Sequence, residues 1–393
     1  MKYLADNVIS FASEIDQETI NQALQIAELP FVYPHLALMP DAHCGKGSSV
    51  GTVIPTKGAV IPAAVGVDIG CGMIAVKTRF TATELTGDRD LRVLRESIED
   101  AIPLSPGNYN KNNNRFPFTR AKHEELIQLQ QQLDVDLSHS PKWMEQLGSL
   151  GGGNHFIELC VAEGDPERPL WLFLHSGSRG VGNKIAQRHI KAAQALTGGH
   201  VPHADLAYLE EGTHEFDRYI KDLEWAQRFA YLNRAEMMDR FVWAFARWLG
   251  VEGQRVEVDR INCHHNYTTP ATFNGEPVWL TRKGAIDATL GRSGVIPGSM
   301  GTRSYVVTGK GSFEGLHSAP HGAGRRFSRT KAKKLFTEED LAAAMVGIEY
   351  RHGAAWIDEI PAAYKDIDQV MADAEPLVDV VTTLRQLLNV KGT

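Results

Sequence analysis

The spacing of apolar positions divides the chain into regions of different predicted structure. Short apolar runs broken by glycine and proline fill residues 31–85, and blocks of the same kind recur at 149–185 and from Glu257 to His321. Runs of this length between turn-forming residues indicate strands. Five strands are predicted, at Val50–Pro55, Ala59–Val67, Met73–Thr78, Phe156–Val161 and Leu170–Leu174.

Other regions have the spacing of helices. A helix is predicted near Asp16–Ala27, and a long helical segment over 212–250, where apolar residues recur at intervals of three and four from His214 to Leu249. Thr337 followed by Asp340 has the pattern of a capped helix start. From there the chain is predicted to be helical to about Leu388.

Strand-rich and helical regions alternate over the whole chain, and no block stands alone as a domain. Residues 105–140 are polar and rich in asparagine, so they are interpreted as a variable surface insertion. The prediction is therefore an α+β fold over residues 1–393. It is a single large domain with mixed β-sheets, surrounding helices and a central cleft built from distant loops.

Composition narrows the class of protein. Hydrophobic residues make up 43% and charged residues 23%, which is typical of a folded globular chain and excludes extensive disorder. The net charge of −7 excludes a generally basic nucleic-acid-binding surface. No run approaches the roughly 18 apolar residues of a membrane span. Four cysteines in so long a chain do not make a disulfide framework, so a cytoplasmic protein is expected.

A metal site is the first candidate chemistry. In the glycine-rich segment Gly66–Met73, Asp68 and Cys71 are three residues apart, a spacing that can aim a carboxylate and a thiolate at one point. The alternative is a buried structural cysteine beside a turn-capping aspartate.

Histidines at the ends of predicted strands strengthen the metal interpretation. His155 follows three glycines, His175 ends an apolar run, and His264 and His265 stand side by side. A single histidine of this kind is more often structural, but several beside Asp68 and Cys71 make a site for one or two metal ions plausible. Adjacent residues of a strand face opposite ways, so only one of the neighbouring pair is expected to join.

Two further motifs suit phosphate chemistry. Pro297–Tyr305 is a run of small and hydroxyl-bearing residues that can bring amides around an anion, although a plain turn is equally compatible. His321 lies between small residues, which suits a nucleophile or acid–base group. The basic run that follows, Arg325–Lys334, is interpreted as an RNA-backbone contact, with a solvated helix face as the alternative.

Taken together and in this order, these motifs resemble the RtcB family of tRNA-splicing RNA ligases, in particular its bacterial members. The resemblance extends from Met39-Pro40-Asp41-Ala42-His43 to Val390-Lys391-Gly392 and includes Ala363-Tyr364-Lys365-Asp366. It implies a GTP- and Mn²⁺-dependent ligase that joins RNA 3′-phosphate or 2′,3′-cyclic phosphate ends to 5′-hydroxyl ends. The implied intermediate is a histidine–GMP adduct, formed in tRNA splicing or RNA repair.

The resemblance also assigns residues. It implies His321 as the nucleophile, with Asp41 and Arg179 as further active-site residues. Two Mn²⁺ ions would be held by Asp68, Cys71, His155, His175 and His265. GTP would be contacted by Asn154, Glu158, Lys283, Ser299, Ser304, His321, Tyr364 and Lys391.

Several alternatives remain open at the level of sequence. By ligand softness alone, a thiolate with imidazoles would favour zinc, so manganese follows only from the resemblance. A metal-dependent phosphodiesterase acting on RNA ends would use the same ligands without GTP. Ala319-Pro320 before His321 and Cys44 depart from the common family pattern, so a specialised RNA-repair paralogue is a further alternative. No membrane association and no particular activating partner protein is implied.

Overall fold

The computed structural model describes residues 1–85 and 89–392. The strands are β1 (Lys2–Ala5), β2 (Val8–Ser10), β3 (Leu36–His43), β4 (Val50–Thr56), β5 (Ala59–Val60), β6 (Gly72–Thr81), β7 (Phe156–Glu163), β8 (Pro169–Ser176), β9 (Leu209–Glu210), β10 (Glu257–His264), β11 (Asn266–Phe273), β12 (Glu276–Lys283), β13 (Ala285–Asp287), β14 (Ser293–Pro297), β15 (Ser304–Gly309), β16 (Ser318–Pro320) and β17 (Val378–Val390).

The α-helices are α1 (Gln17–Ala27), α2 (Pro62–Val65), α3 (Leu91–Ala101), α4 (Thr119–Leu133), α5 (Trp143–Gln146), α6 (Arg179–Thr197), α7 (His214–Leu249), α8 (Arg329–Leu335), α9 (Glu338–Ala344) and α10 (Ile367–Asp373). Short 3₁₀ helices lie at Ala82–Leu85, Gly198–His200, Ala204–Leu206, Gly253–Arg255, Ala354–Glu359 and Pro361–Ala363.

Two large sheets organise these elements. The first has the strand order β1-β2-β3-β4-β12-β11, and the second has the order β10-β6-β8-β7-β17-β15-β14. Neighbouring strands are antiparallel, except that β2 and β3 run parallel. The remaining strands form two small two-stranded sheets, β13 with β16 and β5 with β9.

The second sheet is buried on both faces. In β8, Trp171 and Phe173 belong to the core between the two sheets, whereas Leu170, Leu172 and Leu174 belong to the core beneath the helices. This alternation follows from the two-residue period of a strand. Full burial of a side chain such as Phe173 stabilises the fold by roughly 1.5–3 kcal/mol.

Helices cover the outer faces, giving four layers. Helix α7 packs its Phe241 and Phe245 on the second sheet, and α1 packs Ala23 and Ile26 on the far face of the first. Glu158 in β7, His175 in β8 and Asp41 in β3 have the strand parity of the inter-sheet core residues Phe156, Phe173 and Met39. The side chains of Glu158, His175 and Asp41 therefore project into the space between the two sheets.

The α+β class and several elements agree with the sequence predictions. Helix α7 has the predicted limits His214–Leu249, with the Thr213 side chain accepting from the backbone N–H of Phe216. Helix α1 begins after Asp16, whose side chain caps Thr19. Helix α9 begins at the predicted capping box, formed by Thr337 and Asp340.

Two structural predictions are wrong. The run Ala59–Val67 is not one strand, because β5 ends at Val60 and Pro62 begins helix α2. The chain is not helical to Leu388, because residues 378–390 form β17 in the middle of the second sheet. Residues 105–140 contain helix α4, which packs against α7: Leu126 is fully buried, and its carbonyl oxygen accepts a hydrogen bond from the Trp225 indole.

Across the described part of the chain, no helix combines the length and apolar character needed to cross a membrane.

Candidate metal and nucleotide site

Three ligand-type side chains from separate parts of the sequence converge behind the inter-sheet core. The Sγ atom of Cys71 lies 3.4 Å from Nε2 of His155 and 3.3 Å from Nε2 of His175. The three donor atoms lie within 4.8 Å of one another, and all three residues are buried. A cysteine sulfur and two imidazoles so arranged form a candidate metal site.

Asp68 and His265 extend this cluster on both sides. Asp68 Oδ2 lies 3.1 Å from His155 Nε2, and His265 Nε2 lies 2.9 Å from His175 Nε2. The structure therefore brings together all five of the metal ligands predicted from sequence.

Close backbone approach makes this convergence possible. A Cβ atom added to Gly177 would lie 2.2 Å from the Asp68 carboxylate. At Gly151, where φ is +84°, an added Cβ would lie 1.5 Å from the Arg179 guanidinium. Glycine is therefore required at both positions, because a Cβ atom would overlap the Asp68 or the Arg179 side chain.

Burial sets the charges in the cluster. It holds the pKa values of His175 and His265 well below the usual histidine range, so both rings are neutral and can offer a lone pair. Burial alone would raise the pKa of Asp68, but the His155 hydrogen bond, the His155 charge and Arg179 outweigh it and lower the value. Burial and the Asp68 charge raise the pKa of the Cys71 thiol.

These residues fit a divalent cation. The Nε2 atoms of His175 and His265 lie 2.9 Å apart, and the Cys71 sulfur lies 3.3 Å from the His175 Nε2. Nδ1 of His155 lies 3.0 Å from the Leu150 carbonyl, an outer contact that turns Nε2 toward the cluster. Three imidazoles, two of them held neutral by burial, together with a carboxylate and a thiol match a metal-ligand set.

The neighbouring pair of histidines divides as the strand geometry predicts. His265 faces the cluster, whereas His264 turns away, with its Nδ1 2.8 Å from the Gly70 carbonyl and 3.1 Å from Arg234 Nη2. The Arg234 side chain also donates to the carbonyls of Gly70 and Ser176, at 2.7 and 3.1 Å. It therefore links the turn that carries Cys71 to the end of strand β8, which carries His175.

His321 stands beside the cluster. Its ring centroid lies 4.7 Å from that of His265, and its Nδ1 lies 2.6 Å from Oδ2 of the fully buried Asp41, at an angle outside that of a regular hydrogen bond. The same carboxylate oxygen accepts from the backbone N–H groups of His321 and Gly322, at 3.1 and 3.2 Å. Asp41 thus fixes the position of His321 through both backbone and ring.

A cavity of about 220 Å³ opens in front of His321. Two histidines of the cluster, His175 and His265, line it. In addition to His321, six of the side chains predicted to contact GTP also line it. These are Asn154, Glu158, Lys283, Ser299, Tyr364 and Lys391. Ser304, also predicted, is buried in β15 behind the cavity wall, where its hydroxyl lies 3.4 Å from the Gly298 amide. Arg179 lies behind His155, its Nη1 3.1 Å from that ring's Nδ1.

A hydrogen bond from the neighbouring strand, β17, positions the Glu158 side chain. It pairs with Asn389 across the β7–β17 ladder, and Asn389 Nδ2 donates to Glu158 Oε1 at 2.7 Å. Burial raises the pKa of Glu158 to about 8, although Lys391 and the Asn389 hydrogen bond act to lower it. Both side chains are almost fully buried, which restricts the orientation of the carboxyl group.

Glu359 joins several cavity-lining groups. Its carboxylate accepts from Lys391 Nζ at 2.9 Å, from the Tyr364 hydroxyl at 2.8 Å and from Arg325 Nη1 at 3.2 Å, and it also contacts Arg329 Nη1. Burial alone would raise its pKa, but the neighbouring cations, Lys391 first, lower it. Glu359 is therefore a charged group that positions two of the predicted GTP contacts.

The glycine-rich loop after β14 lines the cavity, but part of its backbone is already bonded. The Ser299 amide donates to Thr302 Oγ1 at 2.7 Å and the Gly301 amide to Gln386 Oε1 at 2.9 Å. These two amides are therefore not free for the predicted anion. Lys283 enters from β12 and donates to the Ser48 carbonyl at 2.8 Å, and burial lowers its pKa to about 8.

The basic run after His321 is less available to RNA than predicted. Arg329 and Lys333 contact Asp358, and Arg326 pairs with Glu14 at 2.8 Å. Much of this positive charge is neutralised within the protein.

Sequence reasoning missed several residues of the site. Asn389, Glu359, His43 and Asn266 all line the cavity. His43 is in the quoted Pro-Asp-Ala-His motif, and burial lowers its pKa to about 4. Asn266 directly follows His265 and lies 3.1 Å from its Nδ1. These two could have been found by their position next to assigned residues, whereas Asn389 and Glu359 carry no such signal.

Comparison with known proteins identifies the family. The family model described as tRNA-splicing ligase RtcB matches residues 22–392. The chain is 45% identical to the RNA-splicing ligase RtcB1 of Escherichia coli, over 96% of this chain and 95% of that protein. It is 30% identical to RtcB2 of the same strain, over 99% and 97%. It is 28% identical to the tRNA-splicing ligase RtcB of Nanoarchaeum equitans, over 99% and 94%.

The chain therefore belongs to the RtcB family of ligases, with a bacterial type of sequence. The cluster of Cys71 and the two neighbouring histidines is consistent with a metal-dependent member of this family.

Proposed function

We propose that this RtcB-family enzyme is a GTP- and Mn²⁺-dependent ligase that joins RNA 3′-phosphate or 2′,3′-cyclic phosphate ends to 5′-hydroxyl ends. The observation that carries the proposal is the position of His321 in the wall of a polar cavity, between a buried carboxylate and a metal-ligand cluster. An imidazole held in this way suits nucleophilic attack on phosphorus.

His321 is proposed to attack the α-phosphate of GTP. Asp41 lies against Nδ1, which leaves Nε2 with its lone pair toward the substrate. A nitrogen–phosphorus bond forms, the bond to pyrophosphate breaks, and pyrophosphate leaves. The guanylate then passes from His321 to the RNA 3′-phosphate, and the 5′-hydroxyl oxygen displaces GMP to form the phosphodiester. A cyclic phosphate is first opened by water.

The remaining groups bind and orient the nucleotide. The Glu158 carboxylate can accept from the N–H groups of guanine, and the Tyr364 ring and Lys391 border the same cavity. Asp68, Cys71, His155, His175 and His265 would hold the metal ions, with the Leu150 carbonyl orienting His155 and Arg179 lying behind it. Bound divalent ions would neutralise phosphate charge during transfer.

Manganese is proposed because of the family, since thiolate and imidazole ligands by themselves favour softer metals such as zinc. A cytoplasmic, reducing location is proposed because all four cysteines are free thiols.

Labelling with α-³²P-GTP tests this proposal. With Mn²⁺, the wild-type protein and a His200→Ala control, altered at an exposed histidine, should become labelled. His321→Ala should not. Equal labelling of the two variants would reject His321 as the nucleophile. GTP-independent cleavage of a 2′,3′-cyclic phosphate end without sealing would favour the phosphodiesterase alternative.

A further inference from the structure

The buried side chain of Gln386 holds the glycine-rich loop that lines the nucleotide cavity. Gln386 lies in β17 and is 3% exposed. Its Oε1 accepts from the Gly301 amide at 2.9 Å, and its Nε2 donates to the carbonyls of Ser299 and Thr302, at 3.0 and 3.4 Å. Three of the four hydrogen bonds that an amide side chain can make therefore go to one loop.

The loop has one amide left for a ligand. Thr302 Oγ1 accepts from the Ser299 amide at 2.7 Å, so the amides of Ser299 and Gly301 are both fixed. Among the residues that the structure describes, the Met300 amide between them has no hydrogen-bond partner. Met300 is 3% exposed and lines the cavity, and the amide of a buried residue is nearly always bonded to protein, water or a ligand.

A bulge allows β17 to support two walls of the cavity. Gln386 pairs with Cys160, and Asn389 pairs with Glu158. Paired residues of neighbouring strands share a face, and Cys160 and Glu158 are two residues apart, so Gln386 and Asn389 also share a face. In a regular strand, residues three apart would face opposite ways. The bulge between Gln386 and Leu388 removes this difference, and one strand positions both the loop and Glu158.

We infer that Gln386 is a positioning residue for the nucleotide, because it holds the loop so that the Met300 amide and the Ser299 hydroxyl donate to acceptor atoms of bound GTP. This inference rests on the proposed function and adds a residue that does not line the cavity itself. All three hydrogen bonds of Gln386 go to the loop, so its loss weakens GTP binding more than it slows the attack by His321.

Single-turnover GTP labelling with Mn²⁺ over a range of GTP concentrations separates the half-saturating concentration from the maximal rate. The test variant is Gln386→Met, which keeps a side chain of similar length and removes all three hydrogen bonds. Thr302→Val replaces the second anchor of the loop by a side chain of the same shape. The control is Val378→Ala, which removes buried surface from the same strand where it pairs with Gly309.

We expect Gln386→Met to raise the half-saturating GTP concentration about tenfold, which is the effect of about one hydrogen bond to the nucleotide. The maximal rate should change less. Thr302→Val should raise the same quantity, and the double variant should show less than the product of the two effects, because both act through one loop. Val378→Ala should match wild type.

A wild-type value in Gln386→Met, an equal rise in Val378→Ala or a loss confined to the maximal rate would each overturn the inference. If Gln386→Met does not fold, Thr302→Val decides, and a wild-type value in that variant would overturn it.

Hydrogen exchange provides a readout that needs no nucleotide. In free Gln386→Met, the peptide that contains Gly301 should exchange faster than in wild type, whereas peptides of α7 should exchange at the wild-type rate. Unchanged exchange at Gly301 would reject the role of Gln386 in holding the loop. Absence of GTP labelling in the wild type would instead reject the proposed function, so the two failures are distinguishable.

Discussion

The buried carboxyl group of Glu158 predicts a pH dependence of GTP binding. Burial raises its pKa to about 8, so at neutral pH the free enzyme carries it mostly protonated. Guanine presents N–H donors on the edge that a carboxylate reads, and only the ionised form is acceptor-only. GTP binding should therefore require loss of this proton and strengthen as the pH rises.

The magnitude follows from this pKa. If only the ionised form binds, the apparent Kd is multiplied by one plus ten to the power (pKa − pH). Between pH 6.5 and 8.5 ionisation of Glu158 alone should lower the apparent Kd about 25-fold, which corresponds to about 2 kcal/mol, whereas loss of the Lys283 proton, with a pKa of about 8, acts in the opposite direction. Most of this change lies below pH 8, and the profile flattens above it.

Equilibrium titration of wild type and Glu158→Gln with GTP, at several pH values and constant ionic strength, measures this effect. Because the amide does not titrate, Glu158→Gln should bind more weakly and lack the Glu158-dependent part of the profile. Lys283 titrates in both proteins, so the difference between the two profiles isolates Glu158, and an identical pH dependence of affinity in wild type and variant would refute the reasoning. Asn389→Ala should shift the wild-type profile to higher pH, since Asn389 donates to this carboxylate at 2.7 Å.

Other predictions concern the metal cluster, the nucleophile and the basic run. Cys71→Ala should lose bound metal by elemental analysis and abolish GTP labelling while circular dichroism is unchanged; unaltered metal content would contradict the ligand assignment. Asp41→Asn should slow GTP labelling by about a hundredfold through misplacement of His321, with little change in GTP affinity; unchanged labelling would exclude this positioning role. Lys331→Gln with Lys334→Gln should weaken RNA binding and reduce its salt dependence, with GTP labelling unaffected; a loss of labelling would place these lysines at the nucleotide instead.

The positions of the candidate metal ligands could be predicted because each lies at the end of a strand or in the turn beside it. His175 lies near the end of β8, Cys71 directly precedes β6, and His265 directly follows β10. The period of a strand also predicted that only one of His264 and His265 would join the cluster, and His264 is the one that faces away. Local pattern was sufficient wherever the ligand's position depended on the strand that carries it.

The remaining parts depend on contacts between distant segments. Glu359 lies in a 3₁₀ segment, and only the tertiary fold brings it to Arg325, Arg329 and Lys391. The pairing of Glu158 with Asn389 likewise depends on the register of β17. A glutamate or asparagine whose role is to position another side chain has no recognisable pattern in the sequence around it.

The wrong assignment of β17 has a physical reason. Leu377, Leu384 and Leu388 are spaced at seven and four residues, which imitates one face of a helix. The β-branched run Val380–Thr383 favours a strand, and tertiary pairing on both sides of β17 decides the outcome. A bulge between Gln386 and Leu388 then turns Asn389 toward the cavity.

Because both sheets contribute residues to the cavity, activity depends on the two sheets staying in contact. His43 and Lys283 come from the first sheet, and Glu158, His175 and Asn389 from the second. Slight separation of the two layers would disperse these groups while every strand remained hydrogen-bonded to its neighbours. In progressive urea denaturation, GTP labelling should accordingly disappear before the far-ultraviolet signal of the strands, which makes labelling a sensitive probe of whether the layers are in contact.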